Sequence, residues 1–263
     1  MIDKLIIRIS KGSISFTTVD STNMEQPVMF QPYNVKAGIS IAANLREAFR
    51  TEPLLTGSYQ RVMCIVDSPV LMVPVDLYQE GGRVTLYSHS YPSRKQNTVL
   101  ANVLPDLNCV AIYDINSDLK TVVNDHFPQA QYVCCMASVW RHLHQRSFTG
   151  VRAKLYGYFH DQRLEVFSFQ QNRFKFCNSF EAQHMHDSLY FLLYVWKQQN
   201  LQQEHDELHL VGDIPEKEEL LDEMRKYLKR TYVINPVADF NRSPVTGIDG
   251  MPYDLMTLIV KGR

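Results

Sequence analysis

The chain has 263 residues, 45% of them hydrophobic and 21% charged, the make-up of a folded globular protein rather than a disordered one. Its 27 basic and 28 acidic side chains leave a net charge of −1, so it lacks the electrostatic footprint of a general nucleic-acid binder, and no basic cluster marks an anionic membrane surface. The opening apolar run is too short for a signal peptide and reads as a strand, while five cysteines, with Cys134 and Cys135 adjacent, fit reduced and mostly buried thiols; a cytoplasmic location is expected.

In chain order, residues 4–10 and 13–19 read as a hairpin about Lys11 and Gly12, and residues 28–32 supply a third strand. Ser40 can cap a helix whose Ile41, Leu45, Ala48 and Phe49 recur at helical spacing before Pro53 stops it. Residues 61–66 form a buried strand. Pro69 and Pro74 then break up residues 68–106, an expected insertion with its own small hairpin, including a strand over residues 83–87 after Gly81 and Gly82. Residues 109–115 read as a strand, Ser117 as the cap of a helix to His126, residues 132–134 as a strand and residues 137–145 as a helix.

The second half is easier to read. Residues 153–159 and 163–169 are rich in aromatic and branched side chains around the short polar link His160-Asp161-Gln162, and residues 173–177 alternate Phe174 and Phe176 with polar neighbours. Asn178 and Glu181 have the spacing of a capping box, which predicts a helix to about Asn200 with an apolar middle, residues 189–196, covered on nearly every side. A strand over residues 208–211 turns through Gly212, Asp213 and Pro215 into a helix striped by Leu220, Leu221, Met224 and Leu228. Residues 232–235 form the next strand and residues 253–260 a last helix.

With the insertion set aside, each half has the order β-β-β-α-β-α-β-α, predicting an α/β protein with a first half over residues 1–150 and a second over 151–263. This duplicated ribonuclease H-like pattern resembles the actin-like ATPase fold. The resemblance is carried by residues 5–19, 109–143 and 208–236, the last with strand, Leu210-Val211-Gly212 and helix in succession, and covers nearly the whole chain. The chain is similar to an uncharacterised Bacteroidetes family of this fold and, more distantly, to the actin-like proteins of type IV pilus assembly.

That resemblance implies where nucleotide and metal residues belong. Active members carry an acidic residue and a glycine in the first hairpin of each half. Here Gly12 and Ser13 remain in the first hairpin, but Arg8 or its neighbours stand where the carboxylate is expected; Gly157 remains in the second half without an acid; and on the adenosine side Gly212 is followed by Asp213 instead of a second glycine. Gly12, Ser13, Gly157, Gly212 and Asp213 are therefore the candidate cleft residues. Mg²⁺ needs carboxylate and phosphate oxygens, and phosphoryl transfer needs neutralised charge and close backbone approach. No cofactor is expected, with ATP and Mg²⁺ as the alternative.

Other chemistries find no support in the sequence. There is no phosphate loop, dinucleotide fingerprint or nucleophile elbow. The pairs His142/His144 and His184/His186 are two residues apart, which separates them around a helix, so no metal site is expected. Asp3 and Asp20 lie at strand ends, unlike the converging acids of a two-metal nuclease. The long irregular stretch 236–252, with Asp239, Arg242 and Asp249, is the expected place for a ligand or partner. The reading is a non-catalytic binding or scaffolding protein with a protein partner, no nucleic acid and no membrane insertion; the alternative is a nucleotide-binding actin-like ATPase with atypical ligands.

Overall fold

A computed structural model describes residues 2–148, 150–170 and 173–262. Two compact units result, Met1–Pro105 with Cys109–Ala137, and Asp106–Asn108 with Ser138–Arg263. The first runs β1 (Ile2–Ile9), β2 (Ile14–Val19), β3 (Val28–Tyr33), α1 (Ile41–Thr51), β4 (Tyr59–Val66), β5 (Leu71–Pro74), α2 (Arg83–Ser90), β6 (Thr98–Leu104), β7 (Cys109–Ile115), α3 (Ser117–His126) and β8 (Gln131–Cys134). Helix α4 (Met136–Ser147) carries the division between the units. The second unit continues with β9 (Lys154–His160), β10 (Arg163–Gln170), β11 (Arg173–Glu181), α5 (Met185–Gln198), β12 (Glu207–Gly212), α6 (Lys217–Tyr227), β13 (Thr231–Val233), α7 (Pro236–Asp239) and α8 (Tyr253–Lys261).

Each unit is built on a five-stranded sheet, in the orders β3-β2-β1-β4-β8 and β11-β10-β9-β12-β13. In both, the first three strands are antiparallel and the fourth and fifth join parallel. One pattern is thus used twice, as the repeated order of elements predicts.

The hairpins differ at their turns. Ser10 and Ser13 close the first, with the Ser10 amide on the Ser13 carbonyl at 2.9 Å and their hydroxyls 2.8 Å apart. The second turns on Asp161 and Gln162 alone, both left-handed at φ 46° and 60°. Two consecutive positive φ values make the tight hairpin turn whose twist matches the strands.

Several sequence expectations are corrected. Residues 83–87 are helical, in α2, whose buried Tyr87 places its hydroxyl 2.8 Å from both Asp114 Oδ1 and the Pro69 carbonyl, two acceptors that share its one proton. Strand β7 leaves the main sheet and centres a three-stranded one, β5-β7-β6, so the inserted segment extends past residue 106 to residue 115. Asp114 is fully buried there; Arg94 spans its two oxygens at 3.0 and 3.2 Å, and Asn97 also donates to it. Asn116, one residue before Ser117, caps α3 through the Asp118 and Leu119 amides. Ser40 caps α1 as predicted, accepting from Ala43.

The apparent capping box at Asn178 is strand. Those residues pair with β10, Val166 opposite Asn178 and Glu165 opposite Ser179, and ladder formation outcompetes the local cap. Helix α5 begins at Met185, whose amide donates to Glu216 Oε2 at 2.8 Å. Glu216 itself precedes α6 in the left-handed conformation, φ 41°, so it leads one helix while capping another. Nor is α5 covered all round: Leu192, Val195 and Trp196 are buried, whereas Tyr190 and Tyr194 are exposed and stacked 6.1 Å apart.

A row of rings crosses the second sheet. Tyr232, His209, Tyr156 and Phe167 occupy register-matched positions on β13, β12, β9 and β10, with successive centroids 5.2, 5.5 and 5.5 Å apart. Cross-strand aromatic pairs stabilise a sheet beyond their area burial. The other face packs Leu155, Leu164, Val166, Leu208 and Leu210 against α5 and α6.

Candidate functional site

The strand-turn-helix from β12 into α6 places Gly212 and Asp213 beside a cavity of about 560 Å³ in the second unit. Leu208 and Leu210 bury the strand, and the chain then turns sharply: the Asp213 amide donates to the Phe159 carbonyl at 3.0 Å and the Ile214 amide to the Gly212 carbonyl at 3.0 Å. Phe159, Val233, Ile234, Met251 and Met256 give the cavity apolar walls, while Asp213, Lys217, Asn235 and Tyr158 bring polar groups to it. Such a lining suits a group with a flat apolar body and a few hydrogen-bonding atoms.

The two candidate glycines of the second unit, Gly157 and Gly212, serve protein packing. Gly212 lies at φ +96°, and a Cβ there would stand 2.0 Å from the Phe159 carbonyl oxygen. Gly157 sits within β9, where a Cβ would meet Leu210 Cδ2 at 2.9 Å and Leu164 Cδ1 at 3.3 Å. The space at Gly157 therefore opens onto the leucine core. Among the described residues, the β9–β10 turn contains no glycine.

In the first unit, Gly12 and Ser13 are at the tip of the β1–β2 hairpin, with open space around Gly12. Arg8 is only 3% exposed, with Nη1 3.4 Å from Ser13 Oγ and Nη2 3.9 Å from Cys135 Sγ. A guanidinium keeps its charge at any physiological pH and offers only donors. The first hairpin thus holds a fixed buried cation beside its turn.

The irregular stretch after β13 divides into a structural and an exposed part. Asp239 lies in a buried cluster, its carboxylate 4% exposed, accepting from Tyr253 Oη at 2.6 Å and Arg146, with His142 Nε2 at 2.8 Å. Burial pushes this carboxyl up, but the hydrogen bonds from His142 and Tyr253 and the nearby positive charges outweigh it and hold it below the usual value. Asp239 therefore ties α7 to α4 and α8 instead of projecting from a loop. Arg242, at φ 56°, and Asp249 are exposed. The ends of the stretch, Pro236, Met251 and Pro252, line the same cavity as Gly212 and Asp213.

Sequence reasoning missed Lys217, Asn235 and Met256 in that lining. Asn235 followed by Pro236 was the available signal, an N-cap before a helix-starting proline, and its Oδ1 accepts from the Val237 amide at 3.0 Å. The acids Asp3 and Asp20 cap turns through the Ser21 and Thr22 amides at 2.8 and 3.0 Å. Burial pushes the Cys109 thiol up to about 12 and the Cys64 thiol higher still, away from thiolate chemistry. Among the described residues, no helix is long and apolar enough to cross a membrane.

Comparison with known proteins agrees with this architecture. No curated protein gives a significant match to the chain. A crystal structure from Bacteroides thetaiotaomicron, of a protein with an actin-like ATPase fold and unknown function, is 28% identical with a TM-score of 0.81, covering 94% of this chain and 96% of that one. The PilM–PilN type IV pilus biogenesis complex contains a chain 11% identical with a TM-score of 0.58, covering 98% and 97%, a likeness of fold. The chain has the actin-like ATPase fold, and its residues 2–231 match the family described as protein of unknown function (DUF3822), to which it belongs.

Proposed function

We propose that the chain is a non-catalytic binding or scaffolding protein that retains the actin-like architecture without its phosphate chemistry, and that its ligand is another protein. The observation carrying this reading is Arg8. A buried guanidinium stands in the first hairpin where the resemblance calls for a carboxylate and, offering only donors, cannot ligate the divalent cation that hydrolysis in this fold requires. Gly157 and Gly212 add support, because core and backbone atoms already occupy the space next to them. These residues do not fit a magnesium-bound phosphate group. The pilus biogenesis complex pairs its own chains by name, and a protein partner is the occupant assigned here.

The second reading, nucleotide binding without turnover, is favoured by one feature, the cavity of about 560 Å³ with Lys217 and Asn235 on its wall. Thermal unfolding with and without millimolar Mg-ATP or Mg-ADP separates the two. A ligand at about 100 times its dissociation constant stabilises by roughly 2.7 kcal/mol, a rise of about 5–11 °C for a chain of this size. The proposal expects no shift with either nucleotide. A saturable rise abolished by Lys217→Ala would replace it with the nucleotide-binding reading.

A further inference from the structure

The β10–β11 ladder passes from Ser168–Phe176 directly to Phe169–Phe174, which makes Lys175 an extra residue on β11. Bulges of this kind interrupt a ladder locally and re-aim a side chain. Lys175 lines a cavity of about 420 Å³ at this end of the second sheet, together with Arg152, Lys154, Ser168 and Gln170. Three of these residues are cationic, and no acidic side chain is among the described residues of the lining. Lys154 is only 8% exposed, with Nζ 3.3 Å from the Arg146 carbonyl; burial pulls its pKa below the usual lysine value by more than the neighbouring Glu207 restores. Arg152 reaches Glu207 Oε1 with Nη1 at 3.4 Å. Ser168 is 4% exposed, and its Oγ has no hydrogen-bond partner among the described residues. Buried hydroxyls in that condition are uncommon. A surplus of positive charge beside an unpartnered hydroxyl calls for an anion.

We propose that this cavity binds a phosphate group, held by Arg152 and Lys175 in the field of the buried Lys154 charge, with the Ser168 hydroxyl as a further donor. A guanidinium presents a planar fork of N–H groups that matches phosphate oxygens, and an ammonium adds point charge; such charge-assisted bonds are about twice as strong as neutral ones. The site is separate from the nucleotide positions that the actin-like resemblance implies. It lies at the start of β9 and the end of β10, whereas the β9–β10 turn and Gly212 lie at the other end of β9, roughly 20 Å away along a seven-residue strand. The two cavities share no lining residue. Phosphate bound here leaves the proposed lack of hydrolysis untouched, because no bond to phosphorus forms or breaks. Phe169 and Leu201 on the same wall offer apolar surface to the organic part of a phosphomonoester, so the free ion and the ester would use the same polar contacts.

The test is isothermal titration of the full chain with inorganic phosphate and with phenyl phosphate, at an ionic strength held constant with sodium chloride so that screening does not change. The native chain is expected to bind both saturably; tighter phenyl phosphate assigns the site to a phosphomonoester, and tighter inorganic phosphate assigns it to the free ion. Lys175→Gln and Arg152→Gln each weaken binding by about tenfold or more, the loss of one charge-assisted hydrogen bond. Ser168→Ala weakens it by about threefold or more while leaving the melting temperature of the ligand-free chain within about 2 °C, since its hydroxyl has no protein partner to lose. That pair of effects separates a ligand contact from a structural role. Lys11→Gln, in the turn between β1 and β2, leaves the affinity unchanged and separates this cavity from the first hairpin. Absence of saturable binding by either probe, an affinity indifferent to Lys175→Gln and Arg152→Gln, or loss of binding in Lys11→Gln overturns the proposal.

Discussion

The central strands of the two sheets, β1 and β9, hold equivalent places in their strand orders but display opposite chemistry. In β1, Arg8 follows a run of buried aliphatic residues and faces Ser15 on β2, with Thr17 nearby and buried. In β9, Tyr156 and Tyr158 alternate with Leu155 and Gly157, and Tyr156 joins a row of rings four strands wide. The hairpins diverge in the same way, a four-residue serine-rich turn against a two-residue left-handed one. Strand order is held by backbone pairing and by one apolar face per sheet, which leaves the second face and the turn free to change. A shared architecture therefore carries no guarantee of shared chemistry.

The glycines offer the sharpest way to break the comparison. Gly212→Ala is expected to cost about 4 kcal/mol or more, because a Cβ is driven into a carbonyl oxygen at a left-handed φ; failure to obtain folded protein, or a collapse of the urea midpoint, is the readout. Gly157→Ala is expected to cost about 1–3 kcal/mol, since its close neighbour is a movable leucine methyl. At the first hairpin, Gly12→Ala meets open space and should stay within about 0.5 kcal/mol. A Gly12 variant as damaging as Gly212→Ala would show that the first turn is no freer than the second unit's.

Each unit also buries a carboxylate, Asp114 in the first and Asp239 in the second. Asp239→Asn is expected to cost about 1–3 kcal/mol at neutral pH. Because the folded carboxyl titrates below its unfolded value, the stabilisation is fully present above the unfolded pKa of about 3.9 and lost as pH falls through the folded one. The gap between native and variant melting temperatures should thus narrow below about pH 4; a constant gap would mean that packing, not charge, holds this cluster. The smallest effect is at the tight turn. Gln162→Gly should stabilise by up to about 1 kcal/mol by relieving a left-handed side chain, and a loss would show that Gln162 makes a contact worth more than its strain.

The repeated order of elements and most strands were legible because period-two alternation and Ser40-type caps are local signals. What failed was local as well, but contested. Asn178 and Glu181 have the right spacing for a cap and lose to the β10 ladder, and residues 83–87 resemble a strand although Tyr87 is tethered to Asp114 from a helix. Of the candidate site, Gly212 and Asp213 do border a cavity, and Arg8 was visible as the wrong charge. Its burial was not legible, since arginines usually reach solvent. Asp239 looked like a loop residue because its partners come from positions 142, 146 and 253, distances that no sequence window spans.

Glu216 makes the cavity wall and α5 a single mechanical circuit. Its backbone sits in the turn between Asp213 and Lys217, while its carboxylate holds the first amide of α5, 31 positions earlier in the chain. Any occupant that re-forms this turn must tug on that amide, so hydrogen exchange at Met185 reads out the state of the cavity from outside it.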